Sequence, residues 1–393
     1  MPIQMVDLKK QYLKIKPAID TAMQVCLDNT AFIKGPQLVE FEGELAEYLR
    51  VRQVVSCANG TDALQLAMMA LELQPGDEVI VPAFTYVATA EVIALLGLVP
   101  VMVDVDPRTF NITAQHIEAA ITPKTKAVVP VHLFGQCADM EAILALCQAQ
   151  GLYVIEDNAQ AIGADYTFDS TGEVVSAGAL GDLGTTSFFP SKNLGCYGDG
   201  GAVYTNQAEL AAKVRMIANH GQAQKYRHDV VGINSRLDTL QAAVLLEKLK
   251  HLDAYIAARQ QAAAWYDEAL GDIAGLETPY RADYSTHVFH QYTLKVPSEH
   301  RDALKAFLQE NGVPSMVYYP IPLSQQKAYQ KLGRVVGNLS ATEDLCQRVL
   351  SLPMHTELSE DQLHYISGKI REYFVKNSPV GSSQVLRNNM ADS

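Results

Sequence analysis

The chain has 393 residues, of which 48% are hydrophobic and 19% charged, a composition typical of a folded globular protein. Its net charge of −13 gives no reason to expect nucleic acid or an anionic membrane as a partner. The sequence shows neither a signal peptide nor an apolar stretch long enough to span a membrane, so we expect a cytoplasmic protein. The six cysteines are scattered without a C-x-x-C pair, which predicts reduced, mostly buried thiols and no metal site.

The first half of the chain predicts helices followed by alternating strands and helices. Two amphipathic helices are expected over 14–28 and 36–50. From Gln53 to Asp157, helical segments separate short apolar runs, which are VVSCANG, EVIVPAF, PVMVDVD, AVVPVHLFG and LYVIED. Such alternation predicts βαβ crossovers and a mostly parallel sheet covered by helices on both faces.

The second half predicts a change of architecture. After a helix near 207–219, residues 220–238 form a polar, basic-leaning segment, and a long helical run follows from Thr239 to about Leu270. The runs beyond residue 275 suggest a smaller α+β unit. We predict a large domain over 1–250, a small domain over 251–375 and a disordered tail over 376–393.

Ligands bind parallel sheets beyond the carboxyl ends of the strands, so polar residues that follow each predicted strand are candidates for a site. These residues are 59–62, Thr85, Tyr86, 157–160 and 187–192.

Lys192 is the most informative of these candidates. It lies just beyond a predicted short strand and precedes four glycines, at positions 195, 198, 200 and 201. Glycines let the backbone approach a bound group closely, as a lysine joined covalently to a cofactor would require. A solvated lysine in a glycine-rich hairpin remains the alternative.

Three further residues fit a pyridoxal 5′-phosphate (PLP) site. Thr61 opens a predicted helix after a strand, where backbone N–H groups can bind a phosphate, although Thr is also an ordinary helix cap. Asp157 ends a predicted strand and could keep a pyridine nitrogen protonated, or could simply cap the next helix. Gln160 would share its face of a helical turn and could reach the ring hydroxyl. With Lys192, this order is expected of a PLP enzyme.

The stretches NGTDAL, PAFTYVATAEVI, VIEDNAQAIGA, SFFPSKNLGCYGDGGAV and INSRLDTLQAA resemble the DegT/DnrJ/EryC1 family of PLP-dependent nucleotide-sugar aminotransferases. The resemblance covers about residues 4 to 370. It implies an α/β fold of type I, with a mostly parallel seven-stranded sheet between helices and a smaller α+β C-terminal domain.

The resemblance also implies roles for individual residues. Lys192 would bind PLP covalently and Asp157 would pair with the pyridine nitrogen. The other implied cofactor contacts are Gly60, Thr61, Asp62, Tyr86, Gln160, Ser187 and, from the partner subunit of a homodimer, Asn234. Arg236, Tyr318 and Tyr319 would bind the substrate, although family members often carry histidine where this chain has Tyr318.

The implied reaction transfers an amino group from L-glutamate to a UDP-linked 3-keto sugar, UDP-2-acetamido-2-deoxy-3-oxo-glucuronate. The products would be 2-oxoglutarate and a 3-amino sugar nucleotide for bacterial surface polysaccharides such as lipopolysaccharide O-antigen. Two alternatives stay open. One is a 4-keto or another 3-keto UDP- or dTDP-sugar, and the other is a PLP-binding regulator or sensor without turnover.

Overall fold

The computed structural model describes residues 3–377, so the predicted tail lies outside the described residues from 378 onward. Two helices open the chain, α1 (Leu8–Asn29) and α2 (Pro36–Leu49). The Asp7 side chain accepts a hydrogen bond from the Lys10 amide at 3.0 Å and caps α1, which starts six residues before the predicted position. Pro36 begins α2, because its missing N–H costs nothing in the first turn.

Strands and helices then alternate as predicted. The elements are β1 (Gln53–Cys57), α3 (Gly60–Ala70), β2 (Glu78–Pro82), α4 (Ala88–Leu95), β3 (Val99–Val103), α5 (Ala114–Glu118), β4 (Thr125–Val128), α6 (Met140–Gln150), β5 (Tyr153–Asp157), β6 (Asp165–Thr167), β7 (Val174–Ser176), β8 (Leu183–Ser187) and β9 (Gly201–Thr205). The run AVVPVHLFG, predicted as one strand, is regular strand only to Val128, makes one further parallel bridge from Val131 to Asp157, and ends in a 3₁₀ turn over Leu133–Gly135.

The remaining elements are α7 (Ala208–Ile217), β10 (Gln222–Gln224), β11 (Arg227–His228), α8 (Thr239–Leu249), α9 (Leu252–Leu270), β12 (Tyr292–Lys295), α10 (Ser298–Glu310), β13 (Arg334–Val335), α11 (Ser340–Arg348), β14 (Val349–Leu352) and α12 (Glu360–Asn377). The single helical run predicted over 239–270 is therefore two helices. The chain turns between them because α8 packs on α1 and α2, whereas α9 packs on α12. No glycine or proline marks this break in the sequence.

The large sheet has the order β1-β9-β8-β5-β4-β2-β3-β13. Only β9 runs antiparallel to its neighbours, which confirms a mostly parallel sheet. The two-residue β13 adds an eighth strand beside β3. The carboxyl ends of β1, β8, β5, β4 and β2 therefore all lie along one edge of the sheet.

Consecutive strand residues face different cores, which is the pattern of a sheet covered on both sides. Val54 and Ile80 belong to a core with α2, α6 and α8, whereas Val55 and Val79 belong to a core with α3, α4 and α7. A third core joins α9, β12, α10, β14 and α12. The proposed domain boundary near residue 250 stays a prediction.

Within residues 3–377, no helix is both long enough and apolar enough to cross a membrane. All six cysteines are buried and unpaired, as predicted.

Candidate active site

A cavity of about 460 Å³ opens at the carboxyl edge of the sheet. Its wall is made by residues that follow five strands, together with two short C-terminal segments. The strand-end residues are Asn59, Gly60, Thr61, Thr85, Tyr86, Val131, Phe134, Asp157, Ala159, Gln160, Ser187, Phe189, Ser191 and Lys192. The C-terminal residues are His290, Gln291, Tyr318 and Tyr319. The strand-end prediction therefore located the cavity.

Lys192 lies in the turn that follows β8, and its backbone N–H donates to the Phe189 carbonyl at 2.8 Å. Burial lowers the pKa of its amine to about 8, although the nearby Asp157 carboxylate opposes this shift. Near physiological pH, the neutral fraction of the Lys192 amine is therefore larger than that of an exposed lysine. A neutral amine has the lone pair that attack on a carbonyl carbon requires.

Asp157 is the last residue of β5 and is 6% exposed. Its Oδ2 accepts a hydrogen bond from Thr89 Oγ1 at 2.9 Å, and its Oδ1 accepts one from the Ala159 amide at 3.2 Å. These two donors hold the carboxylate in one orientation at the cavity wall. A carboxylate placed in this way suits a cationic ring nitrogen.

Gln160 is bound on both sides of its side-chain amide. Its Oε1 accepts from the Phe134 backbone N–H at 2.8 Å, and its Nε2 donates to the Tyr319 hydroxyl at 3.2 Å. Burial raises the pKa of Tyr319, so that phenol stays protonated. The Gln160 Nε2 group, which was predicted to donate to the ring hydroxyl of the cofactor, thus donates to Tyr319 here. The predicted contact with the cofactor stays a prediction.

The amino end of α3 forms a cradle beside Ser187. The Asn59 side chain caps this helix by accepting from the Asp62 amide at 2.8 Å. A Cβ atom on Gly60 would lie 2.6 Å from the Ser187 Cβ, so only glycine allows this close approach. The first amides of α3 have no partner within the helix and suit an anion. Asp62, which was also predicted to bind cofactor, does not line the cavity.

Tyr86 and Tyr318 line the cavity, whereas Asn234 and Arg236 do not line the cavity of their own chain, and Asn234 is the residue predicted to act from a partner subunit. Tyr86 is 55% exposed, and its ring centroid is 6.3 Å from that of Tyr319. Asn234 is exposed and Arg236 half-buried, and both lie away from the cavity of their own chain. Their roles stay predictions.

Sequence reasoning missed four residues at or behind the wall: Thr89, Asp199, His290 and Gln291. Burial lowers the pKa of His290 well below its usual value, and the Lys192 and Arg259 charges add to this effect, so its imidazole is neutral. A threonine in the apolar first turn of α4 was a usable signal for Thr89. His290 and Gln291 gave none, since they reach the cavity only through tertiary packing.

These groups fit PLP. Lys192 provides an amine, Asp157 a carboxylate for the pyridine nitrogen, and the α3 cradle with Ser187 a place for the phosphate. The fold and the site are thus those of a PLP-dependent aminotransferase. The model of the DegT/DnrJ/EryC1/StrS aminotransferase family matches residues 14–371, and the chain belongs to this family.

Three curated relatives are similar to the chain over nearly its whole length. A pleiotropic regulatory protein of Geobacillus stearothermophilus is 48% identical and covers 95% of this chain and 99% of its own. A UDP-2-acetamido-2-deoxy-3-oxo-D-glucuronate aminotransferase of Pseudomonas aeruginosa is 49% identical, covering 93% and 98%. A UDP-N-acetyl-3-dehydro-α-D-glucosamine 3-aminotransferase of Acidithiobacillus ferrooxidans is 49% identical, covering 94% and 97%.

Solved structures agree with the fold. A family aminotransferase from Brucella abortus has a TM-score of 0.90 at 44% identity, covering 95% of this chain and 99% of its own. NtdA from Bacillus subtilis, solved with the bound cofactor PMP, has a TM-score of 0.83 at 34% identity, covering 92% and 82%. PMP is the aminated form of PLP, and PLP is the cofactor of this family.

Proposed function

We propose that this protein transfers an amino group from L-glutamate to the 3-keto group of UDP-2-acetamido-2-deoxy-3-oxo-glucuronate. The products are 2-oxoglutarate and a 3-amino sugar nucleotide that serves bacterial surface polysaccharide synthesis. The observation that carries this proposal is the meeting of Lys192, Asp157 and the α3 cradle in one cavity. The choice of sugar is supported by the 49% identity to two relatives named for UDP-linked 3-keto or 3-dehydro sugars.

Lys192 and Asp157 divide the chemistry. When bound, PLP supplies an electron sink for the electron pair left on a carbon that loses a proton. Lys192 would hold the cofactor through its amine and would move the proton of the glutamate α-carbon as base and acid. Its pKa of about 8 suits this role, because a general base works best when its pKa lies near the ambient pH. Asp157 holds the ring nitrogen protonated, with Thr89 fixing the carboxylate.

The charges at the cavity support a homodimer with shared sites. Among the residues that line it, Lys192 is the one cation, whereas Asp157 and Asp199 are carboxylates. Glutamate and a UDP-linked uronate are both anionic, so one chain alone offers them poor electrostatic complementarity. The exposed segment 222–236 carries basic groups and exposed apolar side chains, including Tyr226 and Val231. Placed at a partner's cavity, Asn234 would reach the cofactor phosphate and Arg236 the substrate.

The test is to incubate the PLP-loaded protein with ¹⁵N-labelled glutamate and a panel of keto-sugar nucleotides. The panel holds the 3-oxo-glucuronate, the 3-dehydro-glucosamine and 4-keto UDP- and dTDP-sugars, and NMR locates the labelled nitrogen. We expect nitrogen at C3 of the uronate. The Lys192→Ala variant is the control for uncatalysed exchange.

Other outcomes select other functions. If only the 3-dehydro-glucosamine is turned over, the substrate is a neutral sugar and not the uronate. A product aminated only at C4 would overturn the 3-keto assignment. A yellow protein that turns over none of these substrates would favour a regulator, the activity for which the Geobacillus relative is named.

A further inference from the structure

Lys248 is a buried lysine that the proposed chemistry does not use. Its side chain is 0% exposed in the interior of α8, and none of the ion pairs among residues 3–377 includes it. An ammonium group away from water is costly unless it is paired or strongly hydrogen-bonded. Burial accordingly lowers the pKa of Lys248 to about 8, with Cys196 opposing and Arg259 reinforcing the shift. A lysine kept under these conditions calls for a physical reason.

The partner of Lys248 is the turn that carries Lys192. Its Nζ donates to the Gly195 carbonyl at 2.5 Å, and it lies 5.4 Å from the centre of the Tyr197 ring. Gly195 itself is buried. Among the described residues, Lys248 is the one donor to this carbonyl, which would otherwise be left without a hydrogen bond.

The turn is closed at both ends and tightly packed. The Cys196 amide donates to the Phe188 carbonyl at 2.8 Å, so residues 188–196 form a loop with Lys192 near its middle. A Cβ atom on Gly195 would lie 2.5 Å from the Pro190 carbonyl oxygen. A displacement at Gly195 therefore moves the first half of the turn as well, because the two halves are in contact.

A second residue of α8 holds the adjoining part of the same segment. The Gln241 side chain accepts from the Tyr197 amide at 2.8 Å and donates to the Tyr197 carbonyl at 3.3 Å. Gln241 and Lys248 are seven residues apart, or two helical turns, and so lie on one face of α8. That face binds the backbone of residues 195–197 at three points.

We propose that Lys248, together with Gln241, is a positioning residue that holds the Lys192 turn in the shape that places the Lys192 amine at the cavity wall. This inference rests on the proposed role of Lys192 as the residue that carries PLP. Lys248 itself touches neither the cavity nor the cofactor position. It acts through the backbone of the turn.

The test uses Lys248→Met, which keeps an unbranched side chain but removes the donor. Loosening the turn admits water to Lys192, so the pKa of its amine should rise toward the ordinary value. The Asp157 carboxylate is the charged group that acts on this amine, the nearby His290 imidazole is neutral, and the substitution leaves both in place. The readout is the rate at which the apoprotein captures PLP covalently, followed by absorbance across a range of pH.

We expect the midpoint of that rate profile to move upward from about 8. At pH 7 the capture should slow about three- to tenfold, because each unit of pKa changes the neutral fraction about tenfold. Lys248→Arg, which keeps a donor, should restore part of the rate. Lys250→Met, at an exposed lysine paired with Glu247, is the matched control and should behave as the native chain does.

A Lys248→Met protein that folds and keeps the native midpoint overturns the proposal, whatever its melting temperature. If Lys248→Met does not fold, Gln241→Leu decides, since it removes two of the three contacts and leaves Lys248 in place. A native midpoint in that variant overturns the proposal too. Covalent capture of PLP by Lys192→Ala would instead refute the role of Lys192, so the two failures are distinct.

Discussion

The carboxyl edge of the sheet and the segment 220–238 differ in whether their predicted site residues lie together within one chain. At the edge, Asp157, Gln160 and Lys192 lie in one cavity, and each is held by named hydrogen bonds or by burial. In the segment, Asn234 is exposed and Arg236 lies away from that cavity. A single chain therefore brings together the groups proposed for the cofactor ring, but it leaves the basic groups expected for anionic ligands outside its own cavity.

The difference follows from how each region is organised. Parallel strands bring their carboxyl ends to one edge whatever else the chain does, so residues 157–192 meet through the sheet alone. The segment 220–238 holds a two-stranded hairpin, and its residues 233–235 hydrogen-bond to the end of α7, but no strand of the large sheet carries it to the cavity. We expect its position to matter only when a second chain is present.

The largest effect should come from Lys192→Ala. Losing the amine removes both the proposed covalent link to PLP and the proposed base, so turnover should fall at least about 10⁴-fold. The measurement is steady-state transamination together with the absorbance of the bound cofactor. Lys213→Ala, at a surface lysine of α7, is the control. A coloured, active Lys192→Ala protein would show that the carboxyl edge of the sheet does not contain the residue that binds the cofactor.

Asp157→Asn should have the next largest effect. The neutral amide cannot stabilise a protonated ring nitrogen, and we expect kcat to fall about 10²- to 10³-fold while the protein stays folded. Single-turnover kinetics with glutamate measure this loss. Asp169→Asn, at an exposed turn, provides the comparison variant. An unchanged rate would show that Asp157 is only a structural residue at the end of β5.

Asn234→Ala tests the other region. We expect about tenfold weaker binding of PLP, because one hydrogen bond to a charged phosphate is lost. If sites are shared, mixing equal amounts of this variant and Lys192→Ala gives half of the dimers one site with both native residues. At limiting PLP, the activity per Lys192-bearing chain should therefore rise above that of unmixed Asn234→Ala. Activity is measured before and after subunit exchange. No recovery on mixing would place Asn234 outside the partner's site.

Thr89→Val should have the smallest effect of the four. It removes the hydroxyl that donates to Asp157 but keeps the side-chain shape, so we expect kcat to fall about three- to tenfold. Thr89→Ser restores the hydroxyl and should recover most of the rate. Loss of protein stability with an unchanged kcat would assign Thr89 to packing rather than to the orientation of the carboxylate.

Much of the site was predictable because its residues follow strands that the sequence marks clearly. The strands ending at Cys57, Pro82 and Asp157 each have an apolar centre, as expected for strands buried on both faces. Residues after them, such as Thr61, Tyr86 and Gln160, could therefore be assigned to one edge in advance. The order of the strands was not predictable, since local pattern does not determine which strands pair.

The rest depended on contacts between distant parts of the chain. The division of residues 239–270 into α8 and α9 has no local marker, because it reflects packing on α1 and α2 on one side and α12 on the other. Tyr319 binding to Gln160 joins residues 159 positions apart. Likewise, the Lys248 amine binds a carbonyl 53 positions away, that of Gly195, which no local pattern indicates.

The sequence by itself determined the class of chemistry, because a helix-opening threonine, a strand-end aspartate and a lysine before glycines follow in the order expected of a PLP enzyme, within stretches that resemble one family. The tertiary structure decided how those groups work. It lowers the pKa of Lys192 through burial, orients Asp157 through Thr89, and places His290 and Gln291 at the wall. Burial and hydrogen-bond direction arise only when separate segments pack together, so no local pattern contains them.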